Sequence, residues 1–168
     1  LINAILGEER VIVSSTPHTT RDSQDIEFNF EGQKIILIDT AGMRRQSRRS
    51  KDAFEKQSVE QSLLSIKKSD LIVLVTDVSK RLSWQDKHLI EEANEVGTGI
   101  IILANKWDLI PDKKTDTVQE FENYYKRFFP FITWAPLLFT SATEKIRIKR
   151  LLTSMVNVFE EKNRTISE

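Results

Sequence analysis

The chain has 168 residues, a length that fits one domain with a proper core. Its 25 basic and 25 acidic residues balance, so net charge gives no reason to expect DNA or an anionic membrane as a partner. The absence of Cys, with only His18 and His88 present, excludes disulfides and thiolate metal centres and leaves little from which to build a His metal site. No leader pattern and no apolar run near ~18 residues is present, and the composition fits a reducing, cytoplasmic setting.

In chain order, residues 1–7 read as a helix with Gly7 as its C-terminal stop. Residues 11–13 are a short apolar stretch, and 14–23 a polar loop. Residues 25–31 and 34–39 are strands that join near Glu31-Gly32-Gln33 as a hairpin. A charged loop over 40–53 leads to a helix from Phe54 to Lys68, with Val59, Leu63 and Ile66 on one face. Leu71-Ile72-Val73-Leu74-Val75 is a continuous apolar strand, as expected where both faces are covered. Ser83 is placed to cap a helix from Trp84 to about Val96, which Gly97 ends. Residues 100–105 are a strand, Val118 to Phe129 a helix stopped by Pro130, 136–140 a strand, and Ile146 to Phe159 the last helix. Strands alternating with helices predict an α/β doubly wound sheet. Trp84 and Trp134 are expected in or half in the core.

Three polar motifs follow apolar strands, the layout in which an open α/β sheet binds ligands beyond its carboxyl ends. Asn105-Lys106-Trp107-Asp108 follows Ile100-Ile101-Ile102-Leu103-Ala104. A carboxylate held there accepts two hydrogen bonds from guanine, from the ring N–H and the exocyclic amine. Adenine presents a ring acceptor instead, and a site built this way rejects such an analogue by roughly 10⁴-fold or more. Asn105 ties the loop to its neighbours, the Lys106 stem lies along base or sugar, and Trp107 packs under the loop. Asp39-Thr40-Ala41-Gly42 ends a second strand: Asp39 is placed to hold Mg²⁺, and the Gly42 N–H to approach a terminal phosphate. Thr20, within Thr19-Thr20-Arg21-Asp22, supplies a hydroxyl for the same Mg²⁺ and a loop that phosphate contacts can order. Ser141-Ala142-Thr143 follows a third strand end, with backbone N–H groups able to reach the guanine carbonyl oxygen.

In this order and at these spacings, the motifs resemble a Ras-like GTPase domain. Gly7-Glu8-Glu9-Arg10-Val11-Ile12-Val13-Ser14, Thr19-Thr20-Arg21-Asp22 and Asp39-Thr40-Ala41-Gly42-Met43-Arg44-Arg45 are similar in particular to the second GTPase domain of the Der (EngA) family, bacterial tandem-domain GTPases of ribosome assembly. The resemblance runs through almost the whole chain. It implies a Ras-like P-loop NTPase fold, with residues 1–160 as the G domain and 161–168 as a link toward a KH-like domain. It also implies a GTP/GDP switch with Mg²⁺ in large-subunit biogenesis, in contact with ribosomal RNA and neighbouring domains. Thr20, Asp39, Thr40, Ala41, Gly42, Met43, Asn105, Lys106, Trp107, Asp108, Ser141, Ala142 and Thr143 fall at the nucleotide positions. Met43 stands where a Ras-like enzyme has a water-orienting Gln. The family has a hydrophobic residue there and is helped by K⁺, and no general base is assignable here. The basic run Arg44, Arg45, Arg48, Arg49 and Lys51 reads as a solvated loop or as an RNA-facing one.

The chain departs from that pattern twice. His18 replaces the Gly of Pro-Gly-Thr-Thr-Arg-Asp, and no Gly-x-x-x-x-Gly-Lys-Ser occurs. The sequence reads as N-terminally truncated, lacking the phosphate loop and the strand before it. Losing that central strand leaves the strands ending at Asp39 and Asp77 with unpaired edges, so the stretch alone is expected to be unfolded or aggregation-prone and inactive. The other reading is a non-catalytic assembly or scaffold module that binds no nucleotide.

Overall fold

Two three-stranded sheets organise the chain, and a computed structural model describes residues 1–13, 25–38 and 65–164 of it. The first sheet is antiparallel, in the order β1 (Val11–Val13), β2 (Ile26–Phe30), β3 (Gln33–Leu37). The second is parallel, in the order β4 (Leu71–Asp77), β5 (Gly99–Asn105), β6 (Leu137–Phe139). The helices are α1 (Ile2–Leu6), α2 (Trp84–Glu95), α3 (Thr117–Phe128) and α4 (Ile148–Lys162). Residues 65–68 are also helical, the end of the helix predicted from Phe54. The rest of that helix lies outside the described residues.

β5 organises the core. Its first six residues are all buried, and alternate side chains point to opposite faces. Ile100, Ile102 and Ala104 pack with Ile90 and Ala93 of α2, Tyr125 of α3, and Phe129 and Ile132. Ile101 and Leu103 pack with Ile148, Leu151, Leu152 and Met155 of α4 and with Ala4 and Ile5 of α1. Phe28 and Phe30 of β2 enter that same second core. Among the described residues the two sheets are therefore joined by packing and not by hydrogen bonds.

Local signals act as the chain predicts at several points. Glu31 and Gly32 turn the β2–β3 hairpin with φ of 49° and 86°, the two left-handed positions that match strand twist. Ser83 caps α2 reciprocally: its Oγ accepts the Asp86 N–H at 3.3 Å, and Asp86 Oδ2 accepts the Ser83 N–H at 2.7 Å. Gly97 leaves α2 with φ 69°. Gly7 follows α1 at φ −92°, so that stop needs no left-handed residue.

Among the described residues, β3 pairs only with β2 and β4 only with β5. These are the two strands whose edges the sequence leaves without a partner, and they do not close on each other. Ile36 and Val75 lie 41% and 46% exposed on them.

Three expectations need correction. The last helix starts at Ile148, not Ile146, because Ser141 and Ile146 form an antiparallel bridge and Arg147 adopts φ 59° before the helix can begin. Trp84 is 79% exposed: it is the first residue of α2 and stands off the helix end, with Lys87 Nζ 5.2 Å from its ring centroid. Trp134, between a short 3₁₀ turn and β6, is 59% exposed.

Candidate functional site

The ends of β4, β5 and β6 meet at one rim. Parallel pairing sets Asp77 beside Asn105, and β5–β6 pairing carries Thr140 to the same level. The Thr140 N–H donates to the Ala104 carbonyl at 2.9 Å, and the Trp107 N–H donates to the Thr140 carbonyl at 2.9 Å. Thr140 and Ser141 are fully buried. The loops after β5 and β6 are therefore stitched together by backbone bonds.

Asn105 makes the central tie. Its Oδ1 accepts the Ala142 N–H at 3.1 Å and the Thr140 hydroxyl at 3.4 Å. The Ser141 N–H goes to the Ile146 carbonyl at 3.3 Å, and Ser141 Oγ accepts the Glu144 N–H at 3.0 Å. Arg147 donates to the Phe139 carbonyl at 3.0 Å and closes the turn from behind. Of the three amides expected to face a base oxygen, those of Ser141 and Ala142 are engaged within the protein. The Thr143 N–H has no partner among the described residues.

Lys106 bends the β5 loop. It adopts φ 66°, which costs an ordinary side chain about 1 kcal/mol, and its carbonyl accepts the Leu109 N–H at 3.0 Å. The bend turns Trp107 inward, where it is buried with its ring centroid 4.5 Å from that of Phe139 and 5.3 Å from that of Phe121. Trp107 is thus a foot of the loop in the core and not a surface for a ligand. Asp108 follows, and its Oδ1 is buried with no hydrogen-bond partner among the described residues. An unsatisfied buried carboxylate oxygen is costly, typically about 1–3 kcal/mol or more, and donors from a ligand would remove that cost.

One residue at the rim carries no motif and was missed by the sequence reading. Asp77 Oδ2 lies 2.7 Å from Lys106 Nζ, and Oδ1 accepts the Ser79 N–H and hydroxyl at 3.0 and 2.6 Å. The Lys106 ammonium first, and then Ser79, holds the Asp77 carboxyl down at about 2. The sign that could have found it is plain: an Asp ends the apolar strand Leu71–Asp77 as Asn105 ends β5.

Thr20, Asp39, Thr40, Ala41, Gly42 and Met43 lie outside the described residues, as do His18 and the basic run from Arg44 to Lys51. Among the described residues, no group of three or more His, Cys, Asp or Glu could hold a metal, and no helix is long and apolar enough to cross a membrane.

A parallel sheet with ligand-ready loops at its carboxyl end defines a nucleotide-binding type of α/β protein. The 50S ribosome-binding GTPase family matches residues 1–106, and the chain belongs to that family. It is similar to the GTPase Der of Heliobacterium modesticaldum, 42% identical over 167 residues, which cover 99% of this chain and 37% of that protein. It therefore spans well under half the length of that curated relative. Among solved structures it is similar to a probable GTP-binding protein engB, with TM-score 0.58, 20% identity, and 95% of this chain and 90% of that one covered. Era in complex with MgGDPNP and part of 16S ribosomal RNA gives TM-score 0.65 at 20% identity, covering 94% and 51%. At that identity the two structures establish the fold, which is Ras-like.

Proposed function

We propose that the chain is the base-reading part of a GTP-binding and GTP-hydrolysing switch that acts in assembly of the large ribosomal subunit. The observation that carries the proposal is Asp108 Oδ1, buried and without a partner among the described residues at the carboxyl end of β5. Guanine offers a ring N–H and an amine on one edge, the two donors a single carboxylate can take. Asn105 keeps the Ser141–Thr143 loop beside it through the Ala142 N–H, and Thr143 offers an amide to the base carbonyl. The family match supports the GTPase class.

The phosphate side of the site rests on the motifs. Thr20 and Asp39 offer the hard oxygen donors that suit Mg²⁺, and such an ion would neutralise charge developing on the phosphates. Thr40, Ala41, Gly42 and Met43 would follow the last phosphate. Met43 cannot orient water by hydrogen bonding, so charge stabilisation, with K⁺ as a further cation, would carry the reaction. The same reading makes residues 1–160 the G domain and 161–168 a link toward a KH-like domain, in a cytoplasmic protein that meets ribosomal RNA. That Era was solved with both a GTP analogue and ribosomal RNA supports an RNA partner for a protein of this fold.

The alternative to this reading is a scaffold module that keeps the fold and binds no nucleotide. A mononucleotide separates the two, because base recognition does not need the phosphate loop. Titrating the full chain with GMP is expected to shift the amide resonances of Asn105–Asp108 and Ser141–Thr143, while AMP leaves them in place. Equal responses to both, or none to either, would contradict the guanine reading and leave the scaffold.

A further inference from the structure

We propose that Asp77 is a positioning residue of the purine site: from the end of β4 it anchors Lys106 and so fixes the left-handed bend that aims Asp108 at the base. The clause about the base rests on the guanine reading above; the anchoring does not. The geometry carries it. Asp77 and Lys106 are 29 residues apart, yet β4–β5 pairing sets Asp77 directly beside Asn105. The carboxylate is itself immobilised, because Ser79 occupies Oδ1 with both its N–H and its hydroxyl. Oδ2 is thereby presented to Lys106 at 2.7 Å, on a side chain only 18% exposed. Among the described residues the one other cation near it is Lys80, at 4.0 Å and three-quarters exposed. On the backbone side, the Val78 N–H donates to the Asn105 carbonyl at 3.0 Å, so strand and loop are tied twice.

The need for an anchor comes from the conformation of Lys106. At φ 66° the residue has no glycine to relieve it. Trp107 holds the loop from below, and the ion pair holds it from the rim. Without the pair, the bend depends on the buried Trp107 and on the backbone bonds of Trp107 to Thr140 and of Leu109 to Lys106, and the Asp108 oxygen, without a partner among the described residues, is free to turn toward water. A long flexible ammonium also needs a fixed counter-ion if its stem is to lie along a base instead of sampling solvent.

The test compares wild type, Asp77→Asn, Lys106→Met and the double variant, all as the full chain. Asp77→Asn keeps an acceptor for Ser79 and removes only the charge. Without nucleotide, each single variant is expected to shift the Trp107 and Asp108 amide resonances and speed their hydrogen exchange, and the double variant to do no more than either. With GMP, Asp77→Asn is expected to weaken binding about fivefold, the upper range for a half-exposed pair, while keeping the preference over AMP. Unchanged loop amides in Asp77→Asn would overturn the proposal. So would an effect of Asp77→Asn that persists in full on the Lys106→Met background, because Asp77 would then act by another route. If wild type shows no preference for GMP, the guanine reading falls, and the nucleotide-free comparison still decides whether Asp77 sets the loop.

Discussion

β5 and β3 are both short strands rich in Ile, yet they live in different solvents. β5 is buried on both faces and paired on both edges, and its carboxyl end launches the loop that carries Asp108. Among the described residues β3 is paired on one edge, exposes Lys34 and Ile36, and buries only Ile35 and Leu37 in part. The loops proposed to read the base thus hang from a strand buried on both faces. A rigid site needs that asymmetry, because a buried unsatisfied oxygen is held only where the surroundings cannot relax.

The contrast is sharpened first by truncation. Leu103→Ala is expected to remove about 2–5 kcal/mol, a large share of a domain's stability. Ile36→Ala is expected to stay within about 1 kcal/mol. Urea midpoints read both, and equal losses would mean that β5 is not the privileged strand.

Asn105→Ala comes next. It strips the acceptor from the part-buried Ala142 N–H and the Thr140 hydroxyl, with an expected loss of about 1–3 kcal/mol. Amide exchange at Ala142 should accelerate while exchange at Phe28 in β2 stays slow. A change in β2 alone would place the linkage elsewhere.

Tyr125→Phe tests how α3 is fastened to β4. Tyr125 OH lies 2.6 Å from Thr76 Oγ1, which also donates to the Leu103 carbonyl at 3.3 Å, so the loss should be about 1 kcal/mol. Burial pushes the Tyr125 phenol up to about 12. An acid whose folded value lies above its unfolded value of about 10 stabilises the fold fully below pH ~10 and loses that contribution as pH climbs toward ~12. Stability measured across that window should fall in wild type and flatten in Tyr125→Phe.

The smallest effect belongs to Asp77. Its carboxyl sits at about 2, below the unfolded value of about 3.9. Its contribution is therefore present above pH ~4 and disappears as pH falls toward ~2. Partial exposure keeps it below about 1 kcal/mol. Asp77→Asn should remove that slope, and an unchanged acid profile would show that the pair contributes nothing to stability.

Much of this was legible in the chain, for physical reasons. Five apolar residues in a row, Ile100 to Ala104, mark a buried strand, and Asn-Lys-x-Asp at its end marks a polar loop at a rim. The Ser83 cap and the Glu31-Gly32 hairpin are local chemistry and were read locally. The start of α4 was not, because Lys145 and Arg147 take φ of 53° and 59° without a glycine to announce it. Trp84 was misplaced because residue type says nothing about which side of a helix end it leaves from. Asp77 escaped because its partner is set by strand register, which no short motif records.

Base recognition by Asp108 is the claim on which the rest depends, and exchanging its chemistry tests it most directly. Asp108→Asn turns an acceptor pair into one acceptor and one donor, which suits xanthine, whose ring carries a carbonyl where guanine carries the amine. Titrating wild type and variant with GMP and XMP, followed at the Ser141–Thr143 amides, should show GMP preferred by the first and XMP by the second. Retention of the same preference in Asp108→Asn would contradict the account.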